Sequence, residues 1–260
     1  MDRRSFMGVM GAMTAMEANQ TGTTTSQPRT KYYVLENYFL KSGTQPARIN
    51  EFMSQALLPA LNKVHAGPKI FMEALVAGHM PQFAFVGGFR STEEMMSVTD
   101  ALWRQEEFRK AVEAWEAGPE PPCEHNSASL LEAAEYSPEI VPLNPPPKTP
   151  RIFELRTYHS PTGRQLKALH ERFAGPEIRI FHRSGIHPVF YTSTVFGANR
   201  PNLTYLIPFD DLATREKAWA AFGADPEWAK VRKESIEKYG QITSVIQMSL
   251  FRATAYSPVR

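Results

Sequence analysis

Several things are scarce in this chain, and each scarcity excludes something. There is one cysteine, Cys123, among 260 residues. An internal disulfide framework and any multi-cysteine metal site are therefore ruled out, and the cysteine count says nothing of redox compartment. No apolar run approaches the roughly 18 residues that a bilayer-spanning helix needs. The formal charge is only +2, too small for a nucleic-acid-binding face. No H-E-x-x-H, paired CxxC, P-loop, G-x-G-x-x-G or G-x-S-x-G occurs. Gly87-Gly88 has no Lys-Ser/Thr after it, so it is no phosphate loop. No metal site and no cofactor are expected.

What is present begins with an unusual N-terminus. Arg3-Arg4 is followed by Ser5-Phe6, then the weakly apolar Met7–Met16, then a Thr-, Ser- and Gln-rich stretch to Arg29. Basic, apolar and polar segments in that order form an export signal, and the arginine pair suggests the twin-arginine route. Residues 1–29 are thus expected to be a signal and tail, and the mature protein to be periplasmic or secreted. A cytoplasmic chain with a chance arginine pair is the alternative.

The rest of the chain repeats itself. Displaced by 120 residues, without gaps, it matches at Leu35/Leu155, Tyr38/Tyr158, Gly43/Gly163, Pro68/Pro188, Pro81/Pro201, Phe89/Phe209, Glu107/Glu227 and Lys110/Lys230. The ends match best: Tyr136-Ser137-Pro138 answers Tyr256-Ser257-Pro258. A colinear match with corresponding prolines identifies two copies of one unit. They span residues 30–138 and 151–260, joined by a stiff linker, 139–150, within the proline-rich stretch Ser137–Pro150.

Each copy reads β-α-β-β-α-β. In the first, strands are expected near 31–40, 69–77, 82–89 and 127–136. Ile49, Phe52, Ala56, Leu57, Ala60, Leu61 and Val64 recur at helical spacing over 47–64, with Pro59 as a source of a kink. Ser91 and Glu94 form a capping box that opens a helix running to Trp115. In the second copy the first helix covers 162–183, interrupted at Gly175-Pro176. Asp225 caps a fresh helix with Pro226 at its first position. The order predicts an α+β fold: two tandem ferredoxin-like βαββαβ domains whose sheets pack face to face as a pseudo-dimer, with the linker on the surface.

The second copy resembles the NIPSNAP family of the dimeric α/β-barrel superfamily. The resemblance rests on Phe153-Glu154-Leu155-Arg156-Thr157-Tyr158, Gly185-Ile186-His187-Pro188-Val189, Asn202-Leu203-Thr204-Tyr205-Leu206, Arg215 and Asp225-Pro226-Glu227-Trp228. The first copy departs from it, with Glu36 for Arg156 and Met95 for Arg215. The resemblance implies fold and pairing more than chemistry. Within the superfamily, cofactor-independent monooxygenases and haem-handling proteins use the barrel to hold an aromatic or a porphyrin.

The residues that could carry chemistry lie on the first strands. Side chains alternate between the faces of a strand. Glu154, Arg156 and Tyr158 therefore share one face, and Glu36 and Tyr38 share one in the first copy. The apolar Phe153/Leu155 and Tyr33/Leu35 suit the helices. That leaves the five polar groups facing the other sheet, either as a mutually paired network or as a pocket for a small apolar or weakly acidic molecule. His187, just before a strand, could reach the mouth of that pocket or sit in an ordinary loop. His159 has the parity opposite to Glu154, which weighs against haem ligation from this strand. His170, His182, Arg172, Arg179 and Arg183 read as a solvated basic face, and the four tryptophans as packing. A homo-oligomer is left open.

Overall fold

The computed structural model describes residues 29–260. The proposed signal, 1–29, lies outside the described residues except for Arg29. The chain runs β1 (Tyr32–Phe39), α1 (Gln45–Phe52), a π-helical turn (Met53–Leu57), α2 (Leu58–Val64), β2 (Lys69–Val76), β3 (Gln82–Phe89), α3 (Thr92–Arg104), α4 (Glu106–Glu116) and β4 (His125–Ala133). The order then recurs: β5 (Ile152–His159), α5 (Gly163–Arg172), a second π turn (Phe173–Glu177), α6 (Ile178–Arg183), β6 (Phe190–Phe196), β7 (Asn202–Phe209), α7 (Leu212–Gly223), α8 (Pro226–Tyr239) and β8 (Val245–Ala253). The 120-residue displacement holds for β1/β5, β3/β7, β4/β8 and both π turns, and for the cis bonds Met80-Pro81 and Arg200-Pro201.

The two sheets do not stay separate. Each half has the strand order last-first-third-second, and the halves join edge to edge as a closed barrel, β1-β3-β2-β8-β5-β7-β6-β4. One seam pairs β2 with β8 (Met72 with Ala253), the other β4 with β6 (Ala133 with Thr192), both antiparallel. Closure removes the free edges that two separate sheets would expose. It is incomplete at one end. The first residues of β8 extend past the seam with β2, and Val245, Ile246 and Met248 there are exposed.

Local chemistry explains the elements. Ser91 Oγ caps α3 by accepting from Glu94 N, and Asp225 caps α8 by accepting from Glu227 N and Trp228 N. The helix expected from Ser91 to Trp115 is broken at Gln105, whose extended backbone ends α3 and starts α4. In both halves the first helix widens by one residue per turn: Leu58 N bonds Met53 O, and Ile178 N bonds Phe173 O. The wide turn accommodates Pro59 and Pro176, whose nitrogens have no proton to donate.

Among the described residues, three clusters form the core. Two lie beneath the helices, one per half: Val34, Tyr38, Ile49, Phe52 and Leu57 belong to the first, Tyr158, Leu169, Phe173, Phe181 and Tyr205 to the second. The third fills the closed end of the barrel with Tyr33, Leu35, Met72, Phe153, Phe190, Leu206 and Phe251 from both halves. Tyr33 stacks on Phe190 with ring centroids 4.9 Å apart. The linker is not wholly superficial, since Ile140 is buried in this third cluster.

Candidate functional site

The barrel corrects the expected facing of the first strands. Phe153 and Leu155, with Tyr33 and Leu35, point into the barrel. Glu154, Arg156 and Tyr158, like Glu36 and Tyr38, point outward beneath their own helices. The cause lies in the helices. The Glu154 carboxylate is fully buried, and α7 brings it two donors. Arg215 Nε and Nη2 donate to it at 2.8 and 3.2 Å, and Trp219 Nε1 at 2.8 Å. Arg156 Nε adds a fourth bond at 2.6 Å, while its Nη1 donates to Tyr158 Oη at 2.9 Å. The Arg156 guanidinium lies 3.8 Å from the Trp219 ring centroid. A carboxylate with four donors is satisfied.

Across the barrel, Glu36 has no cation among the described residues. Its Oε2 accepts from Tyr38 Oη at 2.6 Å, and its buried Oε1 has no partner among the described residues. Burial pushes its carboxyl up to about 7, with the Tyr38 bond opposing. Glu36 and Glu154 therefore belong to separate networks, and the five groups do not meet. His187 is exposed and stacks on His182, 4.9 Å between centroids.

The space between the sheets is a cavity of about 620 Å³ at the open end of the barrel. Leu35, Leu155, Leu131 and Phe251 form its floor, and Asn37, Thr157, Ser129 and Ser249 its walls. Among the described residues, no Asp, Glu, Lys or Arg lines it. Several wall groups are tied to one another: Gln82 Nε2 donates to Asn37 Oδ1 at 2.9 Å, Thr194 Oγ1 to Asn202 Oδ1 at 2.8 Å, and Thr157 shares a 3.0 Å bond with Thr204. Two imidazoles stand at the first half's side of the rim. His125 stacks on Phe39 (4.4 Å), and His79 meets both rings edge-on. His79 Nε2 lies 2.7 Å from Leu40 O. A carbonyl only accepts, so that nitrogen carries the proton and Nδ1 is left as the acceptor in the neutral ring.

His159 shares the inward face with Leu155 and Thr157, contrary to the parity argument, yet it does not border the cavity. Its Nε2 is buried without a partner among the described residues.

The helix expected to present a solvated basic face buries part of it. His170 Nδ1 pairs with Tyr136 Oη and its Nε2 with Ser193 Oγ, both at 2.7 Å, and burial lowers its basicity. Arg172 Nε donates to the buried Glu177 at 2.7 Å. The signal for these residues was weak, because their partners come from other elements. The rim residues had a fainter one, the recurrence of polar residues at every second position in β4 and β8.

Comparison with known proteins agrees with this architecture. The NIPSNAP family model matches residues 153–258.

Residues 153–258 are a NIPSNAP domain.

No curated protein matches the chain. Among solved structures, a monooxygenase-like protein of Fusobacterium nucleatum is 10% identical, with TM-score 0.58, covering 86% of this chain and 93% of its own. An anthrone oxidase-like protein is 12% identical, with TM-score 0.54, covering 86% and 92%. A NIPSNAP family protein of Agrobacterium tumefaciens is 20% identical over 44% of this chain and 97% of its own, with TM-score 0.39. The first two show the fold: a dimeric α/β barrel made here by one chain, with the NIPSNAP domain as its second half.

Proposed function

We propose that this NIPSNAP-domain barrel binds a small apolar or weakly acidic molecule in the cavity between its sheets, and does so after export by the twin-arginine route. The supporting observation is the lining: about 620 Å³ with no Asp, Glu, Lys or Arg among the described residues. Such a site desolvates no fixed charge when a neutral ligand enters, whereas an ionised ligand would lose its hydration without a counter-charge. Phe39 and His125 offer a stacking face, and His79 Nδ1 an acceptor for a weakly acidic hydroxyl. Among the described residues the lining offers no Arg or Lys to pair with the two carboxylates of a haem.

Native mass spectrometry of the purified chain should reveal an uncharged or weakly acidic adduct. Gln82→Leu with His125→Ala should reduce its occupancy. A ligand-free wild type that also binds no phenol on titration would overturn the reading. For the export half, Arg3→Lys with Arg4→Lys should hold the chain in the cytoplasm, and unchanged localisation would count against it.

A second reading is an enzyme resembling cofactor-independent monooxygenases, favoured by the imidazole of His79 at the rim of the barrel cavity. Oxygen consumption on adding a phenolic substrate, lost in His79→Ala, would support it over simple binding.

A further inference from the structure

The repeat provides an internal control for the charges beneath the helices. Arg172, Glu177 and Arg232 stand where the first half has Phe52, Leu57 and Val112. Those three are buried in the first half's core, under the same π turn and the same last helix. The fold therefore does not require an ion pair at this place. A buried pair is also a poor source of stability, since desolvation offsets much of its attraction.

In the second half these residues border a separate cavity of about 140 Å³, between α8, the second π turn and β5. Arg172 is nearly buried there, held by Glu177 and by Ser235 Oγ (3.2 Å), with its guanidinium 4.9 Å from the Trp228 ring centroid. Arg232 borders the same cavity from α8 at its solvent-exposed edge, with no ion-pair partner among the described residues. Thr243 lines it too, and its buried Oγ1 has no hydrogen-bond partner among the described residues. Ile236 and Ile242 make an apolar wall. Two guanidiniums against one carboxyl leave an excess positive charge beside an unused hydroxyl. The volume is well below the roughly 300–1,000 Å³ of drug-sized sites.

We propose that this cavity is a second, independent site that binds a small organic carboxylate. Its carboxyl group lies among Arg172, Arg232 and Thr243, and its apolar body against Ile236 and Ile242. The isoleucine wall and Trp228 favour an organic acid over an inorganic anion. The proposal does not rest on the barrel cavity being a ligand site.

Glu177 makes binding depend on pH. It is faced by Arg172 from α5, Tyr158 from β5, Tyr191 from β6, Tyr205 from β7 and Tyr136 from the end of the first half. Burial raises its carboxyl to about 7 and Arg172 opposes the rise. An incoming carboxylate favours protonated Glu177, so affinity falls as pH rises through that value.

The test is titration of the full chain with benzoate, followed by calorimetry and by Trp fluorescence, with inorganic phosphate as a parallel arm. Benzoate should bind the wild type. Thr243→Val should weaken it about tenfold. The double variant Arg172→Phe with Glu177→Leu installs the first half's pair, and it should keep its melting temperature and lose binding. Glu177→Gln should bind with a flatter pH profile. Benzoate binding that is unchanged in both Thr243→Val and the double variant would overturn the site. So would phosphate binding in the absence of benzoate binding, or no binding of either.

Discussion

The Ser137 hydroxyl accepts a hydrogen bond from the Tyr191 backbone amide at 3.0 Å, from the end of one half to the second strand of the other. Its counterpart 120 residues on does the reverse: Ser257 Oγ accepts from Phe71 N at 3.1 Å. Ala134 N to Tyr191 O and Thr254 N to Phe71 O, both 2.9 Å, complete the exchange. Both serines are buried, so each satisfies an amide that water cannot reach. The halves are thus fastened twice by the same device at the two seams.

Ser137→Ala and Ser257→Ala should each cost about 1–3 kcal/mol, the penalty for a buried amide left unsatisfied. Urea unfolding of the single and double variants checks this. The two sites occupy different seams, so the costs should add.

Glu154 should matter more to stability than Arg156. Removing the carboxylate by Glu154→Ala strands Arg156, Arg215 and the Trp219 indole, and should cost about 3–5 kcal/mol. Arg156→Ala leaves Glu154 with Arg215 and Trp219, and should cost about 1–3 kcal/mol. Equal losses in chemical denaturation would show that Arg215 does not carry the carboxylate.

Glu36 should make stability fall with rising pH. Its carboxyl lies near 7 in the folded chain against an ordinary 4.5. Between those values the folded state binds more protons than the unfolded one, so unfolding free energy decreases with pH. The contribution is fully favourable below the lower value and lost above the upper, on the order of 3 kcal/mol. Glu36→Gln should therefore be more stable than wild type at pH 8 and indistinguishable near pH 4. Glu177→Gln shares the window in sign, with its loss of the Arg172 pair superimposed.

Gly88 should resist substitution. A Cβ there would stand 2.7 Å from Pro68 Cγ and 2.9 Å from Tyr33 Cε1. Both neighbours are confined, one by its ring and one by full burial, so Gly88→Ala should cost about 1–3 kcal/mol in thermal unfolding.

The repeat made most of the fold legible before any coordinates. Tyr136-Ser137-Pro138 and Tyr256-Ser257-Pro258 already marked the two ends that cross to the opposite half. Strand facing was not legible. Phe153 and Leu155 are what a sheet ordinarily sets against helices, and the argument from polarity placed Glu154 opposite. What reverses it is Arg215 and Trp219, more than sixty residues further on, which bring donors to a buried carboxylate. Parity alone assigns residues to two faces but does not say which face is which. The cavity was equally hidden, because Asn37, Ser129, Thr157 and Ser249 are unremarkable polar residues until the barrel closes around them. Arg172 read as solvated because its helix is rich in basic residues; only the π turn shows that Glu177 lies against it.

One covalent thread joins β4 to β5, and it changes what substitution can do to this barrel. In a pairing of identical subunits every replacement is made twice, once on each side of the axis. Here position 36 and position 156 are inherited separately, and so are 57 and 177. One half can drift toward plain hydrocarbon packing and hold the assembly together. The other is then free to accumulate buried charge, with the destabilisation felt on one side only.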